Sequence, residues 1–164
     1  MKKSHAFSIA VILASMLTYN CYSFLTRSNS THVLEGIFSY DMRHITARCQ
    51  KDYNYNDEDI ILLEQELKRF LALAAMQGNY NEGIGMYSAD IDNLWHTFIL
   101  FTHEYATFCQ KYAGFFIHHE PETEKPKTQN ELRAAHQRFL TFIETYEKTF
   151  NEKAHDIWFL DMCT

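Results

Sequence analysis

The chain has 164 residues, of which 46% are hydrophobic and 15% aromatic. This length supports one well-buried core and is short for two separate domains, so we expect a single domain. The formal charge of -6, from 15 basic and 21 acidic residues, gives no attraction toward a phosphate backbone and argues against a nucleic-acid partner. The low content of 5 Gly and 2 Pro argues against a β-sandwich or barrel and favours helices joined by short loops.

The N-terminal segment, residues 1–23, has the features of a sorting signal. Two lysines precede an apolar stretch that contains no Asp, Glu, Lys or Arg before Arg27. This pattern is typical of a signal peptide cleaved after Ser23, or of an uncleaved membrane anchor through residues 4–26. A first helix buried in a cytoplasmic protein is the third interpretation. The sequence thus predicts a domain over residues 24–164 that is exported or membrane-anchored, on the periplasmic or extracellular side in a bacterium, with a cytoplasmic location as the alternative.

Hydrophobic residues recur at helical spacing in four stretches of this domain. The first covers residues 32–50. The second, Asp57–Gln77, begins with three acidic residues in its first turn, and the third covers residues 88–112. The fourth opens with a capping box, Thr128 to Glu131, and keeps its apolar stripe as far as Phe150. We therefore predict an all-α fold, a single compact domain of about four helices after the N-terminal hydrophobic segment.

The four cysteines are too widely spaced to define a disulfide framework or a CxxC motif. They are Cys21, Cys49, Cys109 and Cys163. Cleavage after Ser23 leaves an odd number, which favours buried thiols over disulfides. The apolar residues around Cys109 predict an inert thiol rather than a nucleophile.

The third predicted helix and the stretch that follows it hold most of the side chains able to bind a metal or transfer protons. Between Asp92 and Pro121 the chain has one Trp, four His and one Cys, a density that is unusual for a packing helix. The candidate metal ligands are His96, His103, His118 and His119, with Asp92 as a ligand or orienting group. The candidate pocket residues are Trp95, Tyr105 and Cys109.

Helical geometry limits how these side chains can combine. At about 100° per residue, Asp92, His96 and His103 share one face of a straight helix. Cys109 lies on a different side, so one tetrahedral ion cannot take both His96 and Cys109. A histidine from the following turn could complete a site for a zinc or iron ion. Convergence of His96 and His119 to within about 5 Å would favour such a metal site.

Each of these residues also has a purely structural interpretation. His96 can be a core histidine that is hydrogen-bonded to Asp92, and His118 and His119 can lie on the surface or cap the preceding helix. His103, next to Glu104, is expected to face solvent on this interpretation.

A longer pattern runs through this part of the sequence. Its residues are Ser88, Asp92, Trp95, His96, Phe98, Ile99, Leu100, Thr102, Tyr105, Phe108, Cys109, Gly114, Phe116, His118, His119 and Pro121. The pattern resembles the bacterial branch of the glycine-rich domain-containing protein-like family, and the similarity extends over roughly the last 130 residues of the 164. That family is uncharacterised, so the resemblance implies a domain and no reaction. Plant relatives carry further histidines where this chain has Phe98 and Phe101, so the resemblance does not supply a metal site.

Two functional hypotheses follow. The first is a binding module whose Trp-His-aromatic pocket takes a protein, peptide or other ligand. The second is a domain that binds zinc or iron, with a hydrolytic role as its catalytic extension. The sequence contains no complete catalytic or cofactor motif, so enzymatic activity is not predicted.

Overall fold

The computed structural model describes residues 30–77, 84–120 and 128–160. Within these residues it contains six α-helices, one short 3-10 helix and no strand, in agreement with the all-α prediction. The helices are α1 (30–38), α2 (Arg43–Tyr53), α3 (Asp57–Gln77), α4 (Ala89–Leu100), α5 (Thr102–Tyr112) and α6 (Gln129–Phe150), and the 3-10 helix is Asp156–Trp158.

The number of helices differs from the four that the sequence predicts, because two predicted helices are each divided. The first is interrupted between α1 and α2, where the carboxylate of Asp41 accepts hydrogen bonds from the backbone and side chain of Arg43. The third is interrupted at Phe101, whose φ of -80° and ψ of 59° are not helical. A new helix begins at Thr102. The predicted third helix is therefore two separate helices, α4 and α5.

Helix α3 forms the centre of the fold. The side chain of Asn56 accepts a 2.8 Å hydrogen bond from the backbone N–H of Asp59 and so caps the helix. From Glu66 to Ala75 every residue of α3 is buried, as expected of a helix surrounded by other elements. Helix α4 packs against α2, α3 and α5, while α6 packs against α3. The apolar side chains of these helices form one core cluster.

A buried polar network attaches α6 and the 3-10 helix to α3. The carboxylate of Glu66, 1% exposed, accepts hydrogen bonds from the Tyr146 hydroxyl at 2.8 Å and from Trp158 Nε1 at 2.7 Å. The guanidinium of Arg69 donates to the Tyr146 hydroxyl and, at 2.6 Å, to Glu152. The network satisfies polar groups that would be costly to bury alone.

The predicted signal or anchor segment, residues 1–23, lies outside the described residues, as do Cys21 and Cys163. In the ranges that are described, no helix combines the length and the apolar character needed to cross a bilayer.

Candidate metal centre

Helix α4 presents Asp92 and His96 one turn apart. The hydroxyl of Ser88 accepts a 3.5 Å hydrogen bond from the backbone N–H of Ile91 and caps the helix. Asp92 then lies in the first turn, where a carboxylate is favoured by the helix dipole. Its Oδ2 is 3.7 Å from Nδ1 of His96, and the His96 side chain is 42% exposed. The helix start thus fixes one carboxylate and one imidazole on a face that solvent can reach.

His119 reaches this face from the segment that follows α5. Gly114 has a φ of 78°, a left-handed conformation that glycine adopts without strain, and it redirects the chain after the helix. Residues 116–120 have no regular structure, and their exposure alternates. Ile117 is fully buried and the His119 side chain is only 10% exposed. His118, between them, is exposed and packs on the ring of Phe116.

The three side chains converge on one small volume. Nε2 of His119 lies 2.6 Å from Nε2 of His96 and 3.4 Å from Oδ1 of Asp92. One ligand atom from each residue can be chosen so that all three lie within 4.8 Å of one another. The prediction tied to a metal site, convergence of His96 and His119 to within about 5 Å, is therefore met by the pair of Nε2 atoms.

The polar atoms of this cluster are not all satisfied. Among the described residues, no hydrogen bond reaches Oδ1 of Asp92 or Nδ1 of His119, and both atoms are buried. Burial lowers the pKa of His119, while the Asp92 carboxylate acts in the opposite direction. The neutral imidazole that burial favours keeps one ring nitrogen free of a proton, as metal binding requires.

The geometry fits a metal ion after a small adjustment. Two imidazole nitrogens on one tetrahedral zinc ion lie about 3.3 Å apart, because each Zn–N bond is about 2.0–2.1 Å. The observed 2.6 Å between the Nε2 atoms means that the two rings must separate by less than about 1 Å to admit an ion. The distance of 3.4 Å between Nε2 of His119 and Oδ1 of Asp92 already matches the spacing of two ligand atoms on one zinc ion.

The residues predicted to line a pocket lie in the core behind His119. Trp95 and Cys109 are fully buried and Tyr105 is 1% exposed. The ring of Trp95 packs against the His119 ring with 4.5 Å between centroids. Burial raises the pKa of the Cys109 thiol, so this group stays protonated at neutral pH and is a poor nucleophile or metal ligand.

Two of the candidate histidines lie away from the cluster. Because the helix is interrupted at Phe101, the predicted alignment of His103 with His96 does not form, and His103 is exposed on α5. His118 is excluded from the cluster by the alternating exposure of its segment. The structure therefore brings together Asp92, His96 and His119.

A family model described as UCP032817-like matches residues 30–157, which is more than half of the chain. The chain belongs to this family. No curated protein and no solved structure is significantly similar to it. The family is uncharacterised, so membership assigns no activity, ligand or partner, and the resemblance to the glycine-rich domain-containing protein-like family stays a prediction.

Proposed function

We propose that this member of the UCP032817-like family binds one divalent transition-metal ion, zinc or iron(II), through Asp92, His96 and His119. The observation that carries the proposal is the convergence of these three side chains, with a ligand atom of each within 4.8 Å of the other two. Asp92 and His96 belong to α4, whereas His119 belongs to a separate segment and lies 23 positions after His96. Helical periodicity alone therefore does not account for the convergence of the three side chains.

The ligand set determines what the centre can do. Two imidazoles and one carboxylate are the protein ligands of many catalytic zinc sites and of non-haem iron(II) sites, and both leave coordination positions open. Solvent reaches the site at the His96 side chain, which is 42% exposed. A water molecule bound there would be acidified by the ion, which is the chemical basis for the hydrolytic extension of the proposal.

A hydrogen-bonded pair of packing histidines is the main competing interpretation. One N–H···N bond accounts for the 2.6 Å between the Nε2 atoms, but it provides no donor for the buried Oδ1 of Asp92. An unpaired buried acceptor costs roughly 1–3 kcal/mol. A cation between the three groups gives that oxygen a partner and uses both imidazoles.

The binding-module hypothesis receives less support from the same residues. A pocket for a protein or peptide needs aromatic surface that the partner can touch, whereas Trp95 and Tyr105 are at most 1% exposed. Their role in the fold is to pack behind the ligands.

The test is a metal titration of the full-length chain, purified without an affinity tag and stripped with a chelator. Zinc, or iron(II) under anaerobic conditions, is added in competition with a chromophoric chelator, and bound metal is quantified by inductively coupled plasma mass spectrometry. We expect near-stoichiometric binding. His119→Ala should weaken the affinity by more than about 100-fold, because loss of an outer-shell partner alone costs about 10–100-fold.

His118→Ala is the matched control, since it removes the neighbouring imidazole, which is exposed, packs on Phe116 and is not one of the three converging residues. It should bind metal like the wild type. Absence of metal binding by the folded wild-type chain would overturn the proposal, and an equal loss in both variants would show that His119 is not a specific ligand.

A further inference from the structure

We propose that Tyr105 is a positioning residue of this centre: its hydroxyl fixes the segment that carries His119 against the helix that carries His96. The inference rests on the proposed function, because it concerns how the ligands of that site are held.

The Tyr105 hydroxyl connects three elements of the fold. It belongs to α5, donates a 2.7 Å hydrogen bond to the backbone carbonyl of Ile117 and accepts a 3.0 Å hydrogen bond from Nε1 of Trp95. Trp95 and Ile117 are fully buried and Tyr105 nearly so. One buried oxygen atom therefore joins α4 and α5 to the segment after Gly114.

Both ends of this connection lie next to metal ligands. Trp95 directly precedes His96 on α4, and Ile117 is two positions before His119, on the same side of the alternating segment. The Trp95 ring also packs on the His119 ring. His119 is thus constrained through its main chain by the Ile117 carbonyl and through its ring by Trp95.

The connection matters because it acts directly on the main chain of the segment. Residues 116–120 are not part of a helix or strand, so no regular hydrogen-bond ladder holds their main chain. Without the hydroxyl, the hydrogen bonds of Tyr105 to the Ile117 carbonyl and to the Trp95 N–H are both lost. The loss of these two buried hydrogen bonds would favour displacement of the segment away from α4. Such a displacement would move His119 away from Asp92 and His96.

Tyr105→Phe removes this oxygen and keeps the ring. We expect its affinity for zinc to fall by about 10–100-fold, the range found when outer-shell partners are lost. Trp95→Phe keeps the Tyr105–Ile117 hydrogen bond and should lose less affinity than Tyr105→Phe. Tyr146→Phe is the matched control, because it deletes another fully buried hydroxyl, one bonded to Glu66. It should destabilise the fold and leave the zinc affinity unchanged.

A measurement without metal separates this inference from the proposed function. The rate at which diethyl pyrocarbonate modifies His119 is followed by peptide mass spectrometry, with the exposed His118 and His103 as internal references. Modification of His119 should be slow in the wild type and in Tyr146→Phe, and several-fold faster in Tyr105→Phe relative to the references.

If the wild type binds no zinc but Tyr105→Phe still exposes His119, the metal proposal fails and the positioning role stands. Unchanged modification of His119 in a folded Tyr105→Phe variant would overturn the positioning role. The positioning role would also be overturned if the wild type binds zinc and Tyr105→Phe binds it with an affinity within twofold of the wild type. An equal loss of zinc affinity in Tyr146→Phe would overturn it as well.

Discussion

Oδ1 of Asp92 lies 3.4 Å from Nε2 of His119 and has no hydrogen-bond donor among the described residues. A carboxylate in this position interacts with a bound cation through its charge as well as through its lone pairs. The short helical turn between Asp92 and His96 fixes that charge beside both imidazoles. The consequence is that the charge, and not only the shape, of residue 92 should control metal affinity.

Asp92→Asn keeps the size of the side chain and removes the charge. We expect zinc affinity to fall by at least about 10-fold, which corresponds to about 1.4 kcal/mol, because the charge of the ligands contributes to the affinity for a cation. Asp57→Asn is the control, because Asp57 also lies in the first turn of a helix but far along the chain from the cluster. Equal zinc affinity for Asp92→Asn and the wild type would exclude Asp92 from the site.

The buried carboxylate of Glu66 should be a major determinant of stability. Glu66→Ala leaves the Trp158 N–H without its acceptor and deprives Arg69 of a buried anionic neighbour. We expect a loss of about 3–5 kcal/mol in the free energy of unfolding, as for a broken buried ion pair. Glu58→Ala removes an exposed carboxylate from the same helix and should cost less than about 1 kcal/mol. Urea denaturation of both variants measures the difference, and similar losses would contradict the assignment.

The carboxylate of Glu104 should make the stability of the fold depend on pH. Glu104 accepts a 2.6 Å hydrogen bond from the Tyr40 hydroxyl and lies 2.8 Å from Nε2 of His44. Burial acts to raise the pKa of Glu104, but the interactions with Tyr40 and His44 outweigh it, and the pKa is lowered from its usual 4.5. The folded state therefore favours the ionised form. The contribution of the Glu104 carboxylate to the stability of the fold is complete above the pKa that this group has in the unfolded chain. It is lost as the pH falls through the lower pKa of the same group in the folded protein.

Glu104→Gln should accordingly have a lower Tm than the wild type at pH 7. The gap should narrow as pH falls below about 4, where the wild-type carboxyl is also protonated. Thermal unfolding followed by circular dichroism between pH 7 and pH 3 tests this, with the exposed Glu35→Gln variant as reference. A gap in Tm that stays constant over the whole range would contradict the sign of the pKa shift.

The helices with strong local end signals were predictable from sequence. Helix α3 has the predicted bounds, Asp57–Gln77, because an Asn cap and an acidic first turn define its start. Helix α6 begins at Gln129, directly after the predicted N-cap Thr128, and both hydrogen bonds of the capping box with Glu131 are present. In these cases, the local preference and the tertiary packing agree.

The interruption at Phe101 had no comparable signal. Neither Pro nor Gly is present there, and hydrophobic spacing continues through the break. The Phe101 ring packs edge-on against His44 of α2, with 5.2 Å between centroids, a contact between residues far apart in sequence. The break thus coincides with a tertiary contact, which periodicity within one helix cannot anticipate.

The choice between His118 and His119 was also beyond the sequence. Helical reasoning places them after Gly114 but gives no orientation to a segment without regular structure. The side that faces α4 is set by the hydrogen bond between the Ile117 carbonyl and Tyr105. The alternation of a buried Ile117, an exposed His118 and a His119 whose side chain is only 10% exposed becomes interpretable only once that contact is known.

The positions of the two tryptophans of the chain give it two built-in optical reporters. Both flank the ring of Phe70, with centroid distances of 5.0 Å for Trp95 and 6.3 Å for Trp158, but it is Trp95 on which the His119 ring packs. Emission from Trp95 should respond to the state of His119, whereas emission from Trp158 should respond to unfolding of the α3–α6 interface. A Trp158→Phe chain would thus signal ligand binding by its own fluorescence, without an added dye.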